Sequence, residues 1–245
     1  MFSFLSKKPF LKDLIPGGHT DIHSHILPGI DDGAKTIDDS ITLLNGLTDA
    51  GCTQFVTTPH VMRSVWDNTR EGIEAKLAET RQLLESRGIN MSIRAAAEYL
   101  LDANFAEQFK TEPLLTLKDN YVLIEMSYIN PPIQLFEFLF ELQVAGYIPV
   151  LAHPERYGFY HKDFGKYEQL KNAGCYFQIN LLSTVGYYGE GVYNTAEKLL
   201  KKGMIDFTGS DAHHDKHIAA LSKRVQLKDT KPLVDAMTNN KLFQH

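Results

Sequence analysis

Three observations predict an α/β fold in which helices cover a parallel sheet. Short β-prone runs alternate with longer amphipathic segments along most of the chain. No linker rich in Pro, Gly or Ser, no low-complexity tract and no charge block interrupts the 245 residues. About seven strand–helix units fit this length, which favours closure into an irregular (β/α)7 barrel over an open doubly wound sheet. We therefore expect a single domain over residues 1–245.

The predicted strands are short runs of apolar, β-prone residues. They are Thr20–Ile26, Thr53–Thr58, Met91–Glu98, Tyr121–Met126, Ile148–Ala152, Cys175–Asn180 and Asp206–Gly209. Between most of them the apolar spacing predicts helices, at Ile37–Ala50, Thr69–Ser86, Ile133–Ala145, Phe164–Ala173 and Tyr193–Lys202, with a last helix at Pro232–Thr238. The polar stretch Leu100–Asn120 breaks this rhythm, and we expect a lid or a short extra helix there.

Composition excludes several classes of protein. With 25 basic and 30 acidic residues the net charge is −5, which argues against a broad nucleic-acid-binding surface. No apolar run approaches the roughly 20 residues that span a bilayer, and the first residues do not form a secretion signal. The two cysteines, Cys52 and Cys175, make no disulfide framework and are expected to be buried, in a reduced cytoplasmic setting. We expect no nucleic-acid partner and no membrane insertion.

Histidine and acidic residues stand where the predicted strands end. The first strand ends in Asp21-Ile-His23-Ser-His25, and side chains two apart on a strand share a face, so His23 and His25 can bind one metal ion. Such a pair alone is better explained by chance histidines on an exposed strand. The other strand ends and the first loop add seven more candidates: Asp32, His60, Glu98, Glu125, His153, Asp211 and His213.

A carboxylate at the end of a buried strand is costly unless a cation compensates it. Among these motifs the only basic side chain is Arg156, so salt bridges cannot account for the set. Divalent metal with imidazole and carboxylate ligands is the simpler explanation. Nine candidates indicate more than one ion, since four protein ligands already fill a tetrahedral site, and the absence of a C-x-x-C motif argues against a structural zinc site.

Other interpretations stay open at several of these positions. Asp32 precedes Gly33 and could instead cap a turn, and Asp31 is the less favoured ligand of the pair. Arg156 could pair with the neighbouring Glu155. The remaining histidines, namely His19, His161, His214, His217 and His245, are expected at the surface. Tyr187, Tyr188 and Tyr193 could receive a phosphotyrosine ring, but ordinary packing is the favoured interpretation.

Six motifs between Thr20 and His213 occur in the order of the PHP (polymerase and histidinol phosphatase) superfamily. They read D-I-H-S-H-I-L-P-G-I-D-D-G, T-T-P-H, A-A-E-Y, I-E-M, A-H-P-E-R-Y and S-D-A-H. The chain more narrowly resembles the bacterial metal-dependent tyrosine-protein phosphatases of capsule and exopolysaccharide operons. The resemblance implies a distorted seven-stranded barrel with two to three divalent ions (manganese, iron or zinc, with manganese expected). It also implies a phosphotyrosine protein substrate, the Tyr-rich tail of a bacterial tyrosine kinase.

The resemblance also implies a role for each motif residue. One ion would be held by His23, His25, Glu98 and Asp211, a second by Glu98, Glu125 and His153, and a third by Asp32, His60 and His213. Arg156 would bind the substrate phosphate and act with Asp211 and His213 in catalysis. One feature departs from the family pattern. A second phosphate-binding arginine is expected shortly after S-D-x-H, yet this chain has His214, Lys216 and His217 there and no arginine before Arg224.

The predicted chemistry is metal-dependent hydrolysis of phosphotyrosine. Paired divalent ions can activate water, and arginine can bind a phosphate bidentately. Cysteine-based phosphatases need Cys-x5-Arg, but Thr58 and Leu181 lie six residues after Cys52 and Cys175, which excludes that mechanism. The alternatives are a small-molecule phosphatase, such as one for histidinol phosphate, and an inactive metal-binding scaffold. The Asp-Asp-Gly loop and the His-Pro-Glu-Arg-Tyr run favour the protein phosphatase.

Overall fold

The computed structural model describes residues 8–245, and that part of the chain contains nine β-strands and eight α-helices. The strands are β1 (His19–Asp21), β2 (Cys52–Thr57), β3 (His60–Val61), β4 (Ser92–Ala95), β5 (Glu98–Leu100), β6 (Tyr121–Glu125), β7 (Ile148–Ala152), β8 (Tyr176–Asn180) and β9 (Phe207–Gly209). The helices are α1 (Ile37–Asp49), α2 (Arg70–Ser86), α3 (Ala103–Thr111), α4 (Leu135–Val144), α5 (Gly165–Asn172), α6 (Glu190–Lys201), α7 (Asp215–Leu221) and α8 (Lys231–Asn239). Within residues 8–245, no helix combines the length and the apolar character that a membrane crossing requires.

The strands form two sheets, and all their pairings are parallel, as the sequence predicts. The first sheet has the order β1-β2-β4, and the second has the order β3-β5-β6-β7-β8-β9. Two short connections join the sheets, because β2 runs into β3 and β4 runs into β5. Hydrogen bonds continue across these breaks, from Ala96 N–H to the Thr57 carbonyl (2.8 Å) and from Glu98 N–H to the Pro59 carbonyl (3.1 Å). Seven chain segments therefore build the two sheets.

The segment after β1 is bonded to neighbours on both sides. Ser24 forms a parallel bridge with Ala212, and Asp211 N–H donates to the His23 carbonyl at 2.7 Å. On the opposite side, Thr58 N–H donates to the Ser24 carbonyl at 2.8 Å. The first chain segment thus lies between the end of β2 and the residues that follow β9.

Two of the predicted strands are wrong in their extent. The first ends at Asp21 rather than Ile26, because the hydroxyl of Thr57 also binds the Ser24 carbonyl (2.8 Å) and the regular ladder is lost. The strand predicted over Met91–Glu98 breaks into β4 and β5. The short extra helix expected in Leu100–Asn120 is confirmed as α3, whereas α7 was not predicted because its His-rich sequence has no clear apolar period.

The apolar core has two parts. The larger packs the helices against one side of the strands. The smaller takes residues from most chain segments: Ile22, Val56, Ala96, Leu117, Leu123, Val150, Ala152, Phe207 and Phe243. In β7, Val150 and Ala152 belong to the smaller cluster and Leu151 to the larger, as alternating side chains require. Cys52 and Cys175 are free and buried, as predicted.

His19 begins β1 and is buried, so the prediction of a surface position is wrong. Burial disfavours its charged form and lowers the pKa to about 4, below the value near 6.5 of an unfolded chain. As the pH falls from about 6.5 to 4, the unfolded chain binds a proton at this histidine that the folded protein does not. The free energy of unfolding therefore decreases over this range, by up to about 3 kcal/mol. In urea titrations at successive pH values, His19→Gln should lose less unfolding free energy over that range than the unmodified protein. Parallel losses would contradict the prediction.

Candidate metal centre

All nine predicted ligands gather in one cluster, most of them at or after the carboxyl end of a strand and two at the starts of the short strands β3 and β5. They are His23 and His25 after β1, Asp32 in the following loop, His60 at the start of β3, Glu98 at the start of β5, Glu125 at the end of β6, His153 after β7, and Asp211 and His213 after β9. Each belongs to at least one group whose ligand atoms lie within 4.8 Å of one another. The structure therefore brings together residues that are almost two hundred positions apart.

Glu98 lies at the middle of the cluster and is almost completely buried. Its Oε2 atom is 3.2 Å from His23 Nε2, 3.5 Å from His25 Nε2 and 3.2 Å from His60 Nδ1. Its other oxygen, Oε1, is 3.0 Å from His153 Nε2. One carboxylate thus contacts four imidazoles, the position that a bridging ligand would occupy.

Asp211 completes the innermost group. Its Oδ1 atom is 3.4 Å from His23 Nε2 and 3.5 Å from His25 Nε2. The same oxygen is 3.4 Å from His213 Nδ1. His23, His25 and Asp211 thus form one group of ligand atoms. Glu98, the fourth residue that the resemblance implies for this ion, groups instead with His23 and His153 and with His60 and Glu125.

The outer residues form groups that agree only in part with the predicted sets. Asp32 Oδ1 is 3.4 Å from both His60 Nε2 and His213 Nε2, so the predicted third set is close together. Glu125 Oε1 instead lies 3.0 Å from His60 Nδ1. In the groups of ligand atoms, Glu125 joins His60 and Glu98, whereas His153 joins His23 and Glu98.

Two acids of the cluster, Glu98 and Asp211, are held in their ionised form. Burial alone raises the pKa of Glu98 and of Asp211, but the neighbouring imidazoles, His23 foremost, outweigh burial and hold both pKa values well below their usual range. Burial likewise opposes protonation of His60, yet the charge of Glu98 raises its pKa to about 10. Ionised carboxylates are the form that binds metal, and a cation would displace the protons on the imidazoles.

Unsatisfied polar atoms at the centre fit a bound cation. Among residues 8–245, the buried atoms without a hydrogen-bond partner include Glu98 Oε2, Glu125 Oε1 and His60 Nδ1. His60 Nδ1 lies 3.2 Å from Glu98 Oε2 and 3.0 Å from Glu125 Oε1. Buried carboxylate oxygens without donors are costly, and a divalent cation with mixed oxygen and nitrogen ligands satisfies them.

Two side chains orient the histidines of the first strand. Asp31 Oδ2 is 2.8 Å from His25 Nδ1, and Gln178 Oε1 is 2.6 Å from His23 Nδ1. In both rings the contact involves Nδ1 and leaves Nε2 facing the cluster, an arrangement that is common around metal-binding histidines. Asp31 therefore supports a candidate ligand.

Strand β8 supplies supporting amides and no candidate ligand. Asn180 Nδ2 donates to Asp211 Oδ2 at 2.5 Å, and Gln178 Nε2 donates to Asn180 Oδ1 at 3.1 Å. Neither residue is among the candidates that the sequence predicts. The available signal was their spacing, since two amides stand two residues apart at the end of the predicted strand that lacks a terminal His, Asp or Glu.

Two residues of the cluster adopt left-handed backbone conformations. The φ angle is +36° at His153, which directly follows β7, and +50° at Asp211, the second residue after β9. This region is unfavourable for residues other than glycine, and it persists where the surrounding structure enforces it, often at functional sites. The cluster geometry thus depends on backbone strain at two strand ends.

Gly33 is required by the close approach of His25. A Cβ atom at position 33 would lie 2.3 Å from both the Cβ and the carbonyl oxygen of His25. Gly33→Ala should therefore lower the unfolding free energy by about 1–3 kcal/mol and displace His25, which reduces metal content. Urea denaturation and metal analysis measure the two effects. The matched control is Gly17→Ala, because nothing lies within 4 Å of the added methyl group. Equal behaviour of the two variants would contradict this requirement.

A cleft of about 270 Å³ opens beside the cluster. Its walls are Asp32, His60, Tyr128, His153, Arg156, Tyr188, Asp211, His213, His214 and His217. Arg156 donates from Nη1 to Asp211 Oδ2 at 2.9 Å. Its guanidinium carbon lies 4.8 Å from the ring centre of Tyr128 and 4.4 Å from that of Tyr188. Two aromatic rings thus hold the guanidinium at the cleft, and Tyr188 does more than the ordinary packing expected of it.

The alternative pairing of Arg156 with Glu155 is wrong. Glu155 is fully buried and accepts hydrogen bonds from Asn180 N–H (3.0 Å) and the Ser183 hydroxyl (2.6 Å). Its carboxylate therefore anchors the end of β8, whereas the arginine beside it in sequence contributes to the cleft. Adjacent residues point in different directions because Pro154–Arg156 forms a 3₁₀ turn.

His217 is also buried, contrary to the prediction of a surface position. Its Nδ1 accepts a hydrogen bond from His213 N–H at 3.1 Å, and burial lowers its pKa to about 4. It therefore positions the backbone of His213. His214 and His217 line the cleft where the resemblance implied a second arginine, and Lys216 does not.

Fold and cluster together define an α/β protein with a candidate metal centre at the carboxyl ends of its parallel strands. More narrowly, the chain belongs to the CpsB/CapC family of capsular polysaccharide synthesis proteins, whose profile matches residues 19–241.

Two relatives support this assignment. The tyrosine-protein phosphatase YwqE of Bacillus subtilis is 30% identical over 197 residues, which cover 80% of this chain and 78% of that protein. A solved structure from work on YwqE and on CpsB of Streptococcus pneumoniae, described as metal-dependent tyrosine phosphatases, superposes with a TM-score of 0.79 at 27% identity. That superposition covers 91% of this chain and 93% of the other.

A more distant solved structure shares the fold. A histidinol phosphate phosphatase from Lactococcus lactis superposes over 93% of this chain and 94% of its own with a TM-score of 0.52. The identity is 12%, so this likeness concerns the fold alone.

Proposed function

We propose that this chain is a metal-dependent phosphatase that hydrolyses phosphotyrosine in proteins. The observation that carries the proposal is the convergence of nine imidazole and carboxylate side chains in one cluster, beside a cleft that Arg156 lines together with five of them. The relatives named as tyrosine phosphatases support the choice of substrate. We further propose the Tyr-rich tail of a bacterial tyrosine kinase as the natural substrate, as the resemblance implies.

We also propose that residues 1–245 form one domain whose seven strand segments close into a distorted barrel of the PHP type. The bridge between Ser24 and Ala212 supports closure, because it joins the first segment to the end of the last. The smaller apolar cluster supports it too, since side chains such as Val56, Leu123 and Phe207 from separate strands pack together.

Two to three divalent ions would occupy the cluster. His23, His25, Glu98 and Asp211 would hold one, Glu98 would be shared with a second at Glu125 and His153, and Asp32, His60 and His213 would hold a third. Bound divalent ions supply an activated water and neutralise the phosphoryl oxygens. The donor set of imidazole and carboxylate admits manganese, iron or zinc, and we propose manganese from the resemblance.

The cleft residues would bind and orient the phosphate ester. Arg156 can form two parallel hydrogen bonds to phosphoryl oxygens, and Asp211 holds the guanidinium in place for that contact. Tyr128 and Tyr188 on either side of Arg156 offer aromatic walls to the phenyl ring of the substrate. Phenolate is a comparatively good leaving group, so the site does not require a strong general acid.

Phosphate release from three substrates tests the proposal. The purified chain is stripped with a chelator, reloaded with manganese, iron or zinc, and assayed on a phosphotyrosine peptide, the matched phosphoserine peptide and histidinol phosphate. We expect no activity after stripping, recovery on reloading, and preference for phosphotyrosine. Activity that persists without metal, or a higher kcat/KM on histidinol phosphate, would overturn the proposal.

A further inference from the structure

Exposed apolar side chains are concentrated in the segment that begins at the cleft residue Tyr128. Among residues 8–245, nine large apolar side chains are exposed, and six of them fall between residues 128 and 144. Five of these six form what we call the apolar rim: Ile129, Ile133, Phe136, Phe140 and Val144. Exposed apolar side chains are normal when scattered, but a cluster of this kind marks an interaction surface.

Helix α4 carries apolar side chains on its exposed face, beside Glu137, as well as on its buried face. Leu135, Phe138, Leu139 and Leu142 are buried against the body of the protein. Phe136, Phe140 and Val144 recur at four-residue spacing and lie exposed on the outer face. A surface helix ordinarily presents a polar outer face to water, so this face is suited to a partner.

The apolar rim is continuous with the cleft through Tyr128. The ring of Tyr128 stacks on His153 with a centroid distance of 5.7 Å and also contacts Arg156. Ile129 is the next residue, and Ile133 follows in the same loop with its side chain fully exposed. The intervening residues 131 and 132 are both proline, which fixes their φ angles and stiffens the loop. A rigid loop thus presents apolar side chains directly beside the candidate phosphate site.

We propose that the apolar rim binds large apolar side chains that flank the phosphotyrosine of a protein substrate, an inference that rests on the proposed phosphatase function. An extended peptide advances about 3.3 Å per residue, and α4 carries the rim about 12 Å from Phe136 to Val144. Three or four residues of an extended peptide therefore span the part of the rim that lies on α4. A small phosphate ester does not extend beyond the cleft and therefore does not contact the apolar rim.

Peptide specificity tests this inference on the metal-loaded full chain. The substrates are a phosphotyrosine peptide with leucines at the four positions on each side, the same peptide with serines there, and p-nitrophenyl phosphate. The unmodified protein should prefer the leucine peptide by about tenfold in kcat/KM, the effect of one well-buried anchor. The double variant Ile129→Ser/Ile133→Ser should lose that preference and keep its activity on p-nitrophenyl phosphate. Leu83→Ser, an exposed apolar position on α2, is the matched control and should behave like the unmodified protein.

Three results would overturn the inference. The first is equal kcat/KM of the unmodified protein on the two peptides, and the second is a double variant that retains the preference. The third is a dimer in size-exclusion chromatography that the double variant abolishes, because the rim would then join two copies of the chain. If the protein hydrolyses p-nitrophenyl phosphate but shows no peptide preference, only the proposed role of the apolar rim is rejected. If it hydrolyses none of the substrates, the phosphatase function and the role of the rim are both rejected.

Discussion

Asp211→Asn should lower kcat/KM on a phosphotyrosine peptide by about a thousandfold or more. The carboxylate contacts His23 and His25 through Oδ1 and binds Arg156 through Oδ2, so it belongs to the candidate ligand set and to the cleft at once. The amide keeps the volume but loses the negative charge and one acceptor oxygen. Metal ions contribute several kcal/mol of transition-state stabilisation, and each 1.36 kcal/mol is a factor of ten.

Metal analysis separates this effect from a general loss of structure. The variant should bind about one ion fewer per chain than the unmodified protein, since one ligand of the innermost group is gone. The matched control is Asp235→Asn, an exposed position on α8 that pairs only with Lys231 among the contacts of residues 8–245. Full metal content together with full activity in the Asp211 variant would show that the residue is no ligand.

Arg156→Lys should lower kcat/KM on the same peptide by about a hundredfold with metal content unchanged. A hydrogen bond to a charged group contributes about 1.5–3 kcal/mol, and lysine cannot reproduce the two parallel bonds of a guanidinium. The ammonium group also cannot stack between Tyr128 and Tyr188 as the planar guanidinium does. The loss should appear mainly in KM, because the substitution removes a contact to the phosphate of the bound substrate.

The conservative change at a second stacked arginine is the control for that experiment. The guanidinium of Arg224 lies over the ring of Phe10 at 4.0 Å, and this residue does not line the cleft. Arg224→Lys should leave kcat/KM and metal content as they are. A loss of activity at Arg156 that coincides with lost metal would mean that the arginine supports the ligand cluster and does not contact the phosphate.

The parallel α/β architecture and the convergence of the nine candidate ligands were predictable because both depend on local patterns. Strand patterns that alternate with helix patterns indicate a parallel sheet, and in a parallel sheet the carboxyl ends of all strands lie at the same edge. Side chains at His23 and His25 share a face by spacing alone. The motif order added the family, which the comparisons confirm over residues 19–241.

Amino-acid order by itself therefore determined which residue types reach the functional edge and which family the chain belongs to. Only the tertiary structure decided which of these side chains contact one another. It placed Glu125 against His60, turned Arg156 towards Asp211 instead of Glu155, and buried His217 beneath His213. The physical reason is that ångström-scale contacts depend on rotamers, turns and left-handed backbone at strand ends, which are set by segments far apart along the chain.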